Sequence, residues 1–452
     1  MAEELIISIS GMRGIVGENL SASVATDYGS AFGTFLKADY KKDDKLAVCI
    51  GRDSRPSGQM LESAVAAGLC AVGVDVVVLG LVITPSVGVM LRQLGCAGGV
   101  MITASHNPLP YNGIKLILDN GVAPSVDQAA KIKEIYFARE FSYVDSPSNG
   151  RIVYNEDSYS VHIARVFDTI DVGEIADKKF KVVLDSVNGA GGPITKQMLA
   201  KLGCEVYAVN DEPTGIFAHT PEPTEKNLTG LCDIVKQQKA DIGLAQDPDA
   251  DRLAIVDENG VYIGEEYTLA LAAKNVFSKT KGKAATNLST SRMIDDLARE
   301  FGCEVLRTAV GEANVAGAML GNDCVIGGEG NGGVIDLRVG PIRDSLVGIA
   351  LVLQLMAETG KTVSQLVSEI GGYAMIKEKF PADKNKAAII MDQAKQMFAD
   401  AKIDTSDGCR FDLDDGWVHI RTSNTEPVMR VIAEAKEKDV ARKYVNDILA
   451  LV

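Results

Sequence analysis

Positive charge is in short supply in this chain. Across 452 residues, 46 Lys and Arg stand against 61 Asp and Glu, a formal net charge of −15. That balance argues against nucleic acid or an anionic membrane surface as a partner. An anionic ligand would need the basic side chains gathered into one cleft. Histidine is scarce as well: of His106, His162, His219 and His419, only His106 sits in a dense polar motif, and the other three are expected to be structural. The cysteines (Cys49, Cys70, Cys96, Cys204, Cys232, Cys303, Cys324 and Cys409) form neither C-x-x-C pairs nor a regular framework. Scattered thiols fit a reducing compartment and small buried side chains. Met1-Ala2-Glu3-Glu4 lacks the basic and apolar regions of a signal peptide, so a cytoplasmic location is expected. Long apolar runs are missing too. Ala64 to Leu91 comes nearest, but Asp75 and the Thr84-Pro85-Ser86 break interrupt it, which predicts a buried helix followed by a buried strand.

What is present is the composition of a soluble globular protein, 46% hydrophobic and 24% charged, long enough for three or four domains. The chain repeats itself faintly. An apolar strand (Leu46 to Ile50) enters the loop Gly51 to Gly58, a helix follows and stops at Gly73, and a strand opens at Val74. The order recurs with Lys181 to Leu184, the loop Asp185 to Gly192, a helix and Gly203-Cys204-Glu205-Val206. It returns with Ala284 to Leu288, Ser289-Thr290-Ser291, a helix and Gly302-Cys303-Glu304-Val305. Strand–helix–strand alternation predicts three similar α/β domains with mixed, mostly parallel sheets. From about Gly371 the texture changes to a small α+β domain: a helix over Asn385 to Ala401, strands over Cys409 to Leu413, Trp417 to Arg421 and Met429 to Ala435, and a last helix from Val440. The polar stretch from Phe141 to Asn155 is the expected first boundary, and the four domains are placed at 1–150, 151–256, 257–370 and 371–452.

Four segments carry chemistry. The apolar run Gly98-Gly99-Val100-Met101-Ile102 delivers Thr103-Ala104-Ser105-His106 into a loop stopped by Asn107-Pro108. A hydroxyl at a strand end suits a nucleophile or phosphate carrier, although a serine in such a turn equally serves as a backbone cap. Asp247, Asp249 and Asp251 alternate in a loop between apolar strands, a spacing that lets three carboxylates converge on one hard cation, Mg²⁺ above all; a solvated acidic turn is the plainer reading. Arg252 beside them is either a salt-bridge partner or a phosphate ligand. The glycine-dense run Ile326 to Ile335 offers only Glu329 and Asn331 as reaching side chains, a pair suited to neighbouring sugar hydroxyls or simply held in a tight turn. Arg421, Ser423, Asn424 and Thr425, with Arg430 beyond them, fit a phosphate dianion better than a plain hairpin does. Arg13, Arg52 and Arg55 add positive charge near the amino terminus, and Lys115 can return to the Ser105 site as an acid, a base or a charge clamp.

Together these segments resemble the α-D-phosphohexomutases, the phosphoglucomutase/phosphomannomutase superfamily, over nearly the whole chain. Thr103 to Pro108 resembles its phosphoserine loop, Asp247 to Arg252 its metal loop, Gly328 to Gly333 its sugar-selecting loop and Arg421 to Thr425 its phosphate loop. The resemblance implies four domains around a central cleft, the last TBP-like. It implies a phosphoserine at Ser105 that exchanges phosphate between O6 and O1 of a hexose phosphate through a sugar 1,6-bisphosphate, which also serves as activator. Mg²⁺ would be held by Ser105, Asp247, Asp249 and Asp251. Lys115, Arg13 and His106 would take catalytic parts, and the enzyme would be a monomer or homodimer. Three departures stand out: Gly333 where many members carry a His, no Lys in Asn287 to Ser291, and Glu312 where some relatives carry a His. The Glu-x-Asn pattern with its following glycines looks like the archaeal-type and related bacterial phosphoglucosamine mutases, and Glu312 beside the sugar would favour an ammonium-bearing glucosamine. Phosphomannomutase/phosphoglucomutase activity is the alternative. A metal-dependent sugar-phosphate phosphatase and a sugar-phosphate binder without activity are readings from other classes; free phosphate release would mark the first, and a serine that never exchanges phosphate the second.

Overall fold

The repetition in the sequence becomes one topology drawn three times. The structure, a computed structural model, describes residues 5–39, 46–422 and 428–452. In the first copy the strand Ala47–Arg52 passes through the helix Gly58–Ala71 to the parallel strand Asp75–Leu81. The helix Thr84–Gln93 then brings the chain back to Gly98–Ile102 on the other side of the first strand, and Tyr111–Leu118 closes antiparallel against it. The second copy runs Lys181–Asp185, Glu205–Val209, Ile242–Gln246 and Leu253–Val256. The third runs Lys283–Asn287, Glu304–Thr308, Ile326–Glu329 and Gly333–Ile335. Parallel neighbours require long crossovers, which the helices supply. Gly73, Gly203 and Gly302 end the first helix of each copy with φ of +83°, +70° and +66°, a conformation cheap only without a Cβ.

The fourth strand of each copy turns back by a short hairpin. Those hairpins hold Thr103 to Pro110, Asp247 to Arg252 and Gly330 to Gly332, so three of the four chemistry-bearing segments leave the same strand of the same unit. Extra strands widen the first sheet to seven: Ile6–Ser8 and Gly11–Ile15 at one edge, Ile152–Tyr154 at the other. Thr84-Pro85-Ser86, read from sequence as a break, instead opens a helix with proline in its first turn, where no backbone N–H is missed.

The last sheet is antiparallel, in the order Ala374–Pro381, Val428–Ala435, Gly416–Thr422, Cys409–Asp412 and Lys402–Asp404. The helices Lys384–Met397 and Lys438–Leu449 pack on it around its own core. The first unit also has its own core. The second and third share one: Val182 and Leu184 belong to the same apolar cluster as Ala284, Ile326 and the helix Ser345–Thr359. That helix is apolar on every side and buried along nearly its whole length, as a core helix must be. No single helix among the described residues is long and apolar enough to cross a membrane. All eight cysteines are free thiols.

Candidate functional site

Ser105 sits at a left-handed φ of 49°, a strained setting for a residue with a side chain, and the loop around it is tied down accordingly. Its backbone N–H donates to Thr103 Oγ1 at 2.9 Å, and Thr103 Oγ1 donates to Asp53 Oδ2 at 2.7 Å. Arg55, buried and ion-paired to Asp53, spreads its guanidinium under the loop: Nη2 donates to the carbonyls of Ser105 at 2.5 Å and Asn107 at 2.7 Å, and Nη1 to that of Tyr111 at 3.0 Å. Arg55 is therefore the scaffold of the serine loop. The general positive charge read from the sequence at this position is spent on carbonyls and Asp53. Arg13 Nη1 donates to Asn107 Oδ1 at 2.7 Å from the neighbouring strand.

The Ser105 hydroxyl is 4% exposed and donates to Asp247 Oδ2 at 3.0 Å, with His106 Nδ1 3.3 Å away. Burial, then the charges of Arg252 and Arg13, hold the His106 imidazole down to about 3, so it is neutral at physiological pH. Asp247, Asp249 and Asp251 are fully buried, with ligand oxygens within 4.8 Å of one another. Asp249 Oδ2 accepts from Thr84 Oγ1 at 2.5 Å and from Lys115 Nζ at 2.7 Å; Lys115 also reaches Asp251 Oδ2 at 3.3 Å. Yet Asp249 Oδ1 and Asp251 Oδ1 are buried with no hydrogen-bond partner. Burial, then the charges of Asp251 and Asp249, push the Asp247 carboxyl well above its ordinary range. Orphaned hard oxygens and crowded like charges are what a hard divalent cation would relieve, so the donor set fits Mg²⁺.

Arg343 joins this cluster to the glycine-dense loop. It is 8% exposed, and its fork donates to Asp251 Oδ2 at 2.7 Å and Glu329 Oε2 at 2.8 Å. Its backbone N–H donates to Glu312 Oε1 at 2.6 Å, and its Nε lies 3.5 Å from the same oxygen. The Arg343 side chain fills the space beside Gly333: a Cβ built there would overlap Arg343 Cδ and lie 2.8 Å from its Cγ. Glu329 Oε1 accepts from Asn287 Nδ2 at 2.8 Å, while Asn331 Nδ2 lies 3.4 Å from Glu329 Oε2 and Asn331 Oδ1 accepts from the Gly333 N–H at 3.2 Å. Arg343 went unread in the sequence because Gly340-Pro341-Ile342-Arg343-Asp344 looks like a turn leading into a helix.

Ser105 is bonded to His106 and Asp247, Lys115 joins Asp249 to Asp251, Arg343 joins Asp251 to Glu312 and Glu329, and Arg13 reaches the serine loop at Asn107. Arg252 lies against this cluster, Nε 3.9 Å from Asp251 Oδ1. Arg421 and Arg430 are register partners in the last domain, and no bond among the described residues joins them to the cluster directly. Arg421 Nε reaches Asp407 Oδ2 at 3.1 Å, and Asp407 accepts from the Val310 N–H at 3.0 Å, two residues ahead of Glu312. Ser423, Asn424 and Thr425 lie outside the described residues. Each remaining histidine has protein partners: His162 with Ser86 and Asp344, His219 with Asp185, His419 with Ser289 and the Asp407 carbonyl.

Four successive segments of the chain match the domains of the phosphoglucomutase/phosphomannomutase family: alpha/beta/alpha domain I at residues 5–143, domain II at 157–260, domain III at 264–373 and the C-terminal domain at 379–451. The chain belongs to the phosphoglucomutase/phosphomannomutase family. This phosphohexomutase is an isomerase that moves phosphate within a sugar phosphate. It is 40% identical over 441 residues to a phosphoglucomutase/phosphomannomutase of Thermococcus kodakarensis, covering 96% of both chains. It is 37% identical over 447 residues to a probable phosphoglucosamine mutase of Methanopyrus kandleri, covering 98% of this chain and 96% of that one. Among solved structures, a family protein from Burkholderia thailandensis superposes with a TM-score of 0.87 at 28% identity, covering 99% of this phosphohexomutase and 97% of that chain.

Proposed function

We propose that Ser105 carries the transferred phosphate and that this enzyme interconverts hexose 6- and 1-phosphates through a 1,6-bisphosphate, with glucosamine phosphate as its leading substrate. The observation that carries the reading is the Ser105 hydroxyl, held on a strained loop 3.0 Å from one of three buried carboxylates that retain two orphaned oxygens. Asp247, Asp249 and Asp251, with the phosphorylated Ser105, would hold Mg²⁺, which supplies neutralisation of phosphoryl charge. A substrate hydroxyl attacks phospho-Ser105, its proton passes to a nearby acceptor, and the Ser105 Oγ–phosphorus bond breaks to give the bisphosphate. After the sugar turns over, Ser105 Oγ takes the other phosphate back. Lys115, held charged by Asp249 and Asp251 even though burial opposes it, serves as a cationic clamp and proton donor rather than as the base. Neutral His106 orients the Ser105 oxygen. Arg13 steadies Asn107. Arg252, with Arg421, Ser423, Asn424, Thr425 and Arg430, would hold the substrate's distal phosphate as it alternates.

Glu329, Asn331 and Glu312 would face the sugar. Glu312 spends Oε1 on Arg343, which leaves Oε2 for an amino sugar. The same pairing favours a second reading, broad activity on glucose and mannose phosphates, because Arg343 already offsets the Glu312 charge. Turnover on glucosamine, glucose and mannose 1-phosphates separates the two: a clear lead in kcat/KM for glucosamine phosphate supports the first, and equal or better rates on the others the second. Phosphate exchange is tested by mass spectrometry after incubation with glucose 1,6-bisphosphate. One adduct should map to Ser105 and vanish in Ser105→Ala; an adduct elsewhere refutes the carrier, and steady release of free phosphate makes the enzyme a phosphatase.

A further inference from the structure

Away from the catalytic cluster, a cavity of about 240 Å³ opens where the first three domains meet, lined by Val89, Arg92, Gln93, Arg165, Arg338 and Val339. Three arginines on one small cavity are unexpected in a chain of net charge −15. Each reaches from its own domain into another. Arg92, at the end of the helix Thr84–Gln93 in the first domain, donates through Nη2 to the carbonyl of Val339 in the third. Arg165, on the helix Ser158–Phe167 of the second, donates through Nη2 to Gln93 Oε1 of the first at 3.0 Å. Arg338 of the third donates through Nη1 to the carbonyl of Thr169 in the second at 3.4 Å. The three form a closed ring of contacts.

Their charges are unevenly matched. Arg338 is paired to Asp336 through both Nε and Nη2, so its charge is locally neutralised. Among the described residues neither Arg92 nor Arg165 has a carboxylate partner; both meet only neutral oxygens. Burial first, then the charge of Arg165, pulls the Arg92 guanidinium below its ordinary range. Two uncompensated guanidinium groups fronting one cavity repel each other, and an anion between them converts that repulsion into two charge-assisted hydrogen bonds. At roughly 30 Å³ per water the space holds about eight waters, enough for a small phosphate compound.

We propose that this three-domain junction is an anion site for a small phosphate-bearing compound, held by Arg92 and Arg165 with Arg338 at the rim. Two continuous elements connect it to the catalytic cluster. The helix that carries Arg92 in its last turn begins at Thr84, whose hydroxyl donates to Asp249. The loop that carries Arg338 and Val339 continues to Arg343, which donates to Asp251 and Glu329. Ile342 of that loop sits against Gly88 of the same helix. An anion here therefore bridges the two elements that hold Asp249 and Asp251.

Calorimetric titration of the full-length enzyme with inorganic pyrophosphate, compared with Arg165→Gln, tests the site. Among the described residues the Arg165 side chain is bonded only to Gln93, so the variant should fold and keep its basal kcat/KM. Wild type should show a binding event that weakens about tenfold or more in Arg165→Gln, the expected loss for one charged hydrogen-bond donor, and recovers partly in Arg165→Lys. Arg92→Gln should behave alike, with its melting temperature recorded because it also gives up a bond to Val339. Superimposable titrations of wild type and Arg165→Gln, including any pyrophosphate bound in the catalytic cleft, would overturn the proposal.

Discussion

Arg343 stands among Asp251, Glu312 and Glu329, and these carboxylates would face one another without it. Removing one partner of such a buried network leaves the others uncompensated, at a cost of about 3–5 kcal/mol. Arg343→Met should therefore lower the unfolding free energy by that much, seen as a lower urea midpoint, and cut turnover severely, with Arg343→Lys recovering only part because ammonium lacks the fork. An unchanged midpoint in Arg343→Met would show that the three carboxylates do not depend on it. Gly333→Ala makes the complementary test. The added methyl overlaps the Arg343 stem, so about 1–3 kcal/mol of stability should be lost, with activity falling alongside. Ser105, the three Asp and Glu329 were readable because each sits in a contiguous motif whose composition names its chemistry. Arg343 and Arg55 were not. Arg343 reaches Asp251 92 residues away in the chain and Arg55 reaches the Ser105 carbonyl 50 away, and a lone arginine beside a turn carries no sign of such reach.

At the scale of an element, the helix Glu266–Lys279 begins with a carboxylate in the wrong place for charge. Glu266, its side chain 12% exposed at the junction with the last domain, accepts from the Ser291 N–H at 2.9 Å, while its other oxygen has no hydrogen-bond partner and lies 3.8 Å from Lys377 Nζ. Burial pushes it from the ordinary 4.5 up to about 8, despite Lys377 nearby. A folded-state value above the unfolded one means the unfolded chain loses its proton first. The stability is complete below pH 4.5 and drains away as pH rises toward about 8. Glu266→Gln should flatten that decline, so its urea midpoint gains on wild type between pH 5 and pH 8. Parallel curves for the two proteins would mean that Glu266 does not titrate in this window. The first and second strands of each unit, with Gly98–Ile102 and Ile242–Gln246, were legible from their apolar runs. Tyr111–Leu118, Ile326–Glu329, Gly333–Ile335 and Ala374–Pro381 were not: Gly333-Val334-Ile335 is too short, and Met375-Ile376-Lys377-Glu378-Lys379 alternates charge with few apolar residues.

For the whole molecule, the sequence repeats suggest independent domains, but the second and third units bury one common core. Leu351→Ala in the helix Ser345–Thr359, a loss of about 2–5 kcal/mol, should speed hydrogen exchange in Lys181–Asp185 and Lys283–Asn287 together. Cys409–Asp412 should be little affected; acceleration confined to the third unit would contradict a shared core. Chelation by EDTA should abolish turnover, and added Mg²⁺ should restore it, since the orphaned oxygens of Asp249 and Asp251 have no hydrogen-bond donor among the described residues to take a cation's place. Full activity after exhaustive chelation would remove the metal from the reading.

The three hairpins that leave the same strand of each unit also set the terms on which such an enzyme can diversify. A loop between two fixed strands tolerates change without moving its frame. Phosphate carriage, cation holding and sugar choice can then drift apart like three dials on separate spindles. Arg343 couples two of them, because the sugar dial cannot turn far before it drags the cation loop along. Descendants of this chain that broaden their sugar range by altering Gly333 or Glu329 should carry a compensating change at position 343, and their affinity for the metal should shift in step.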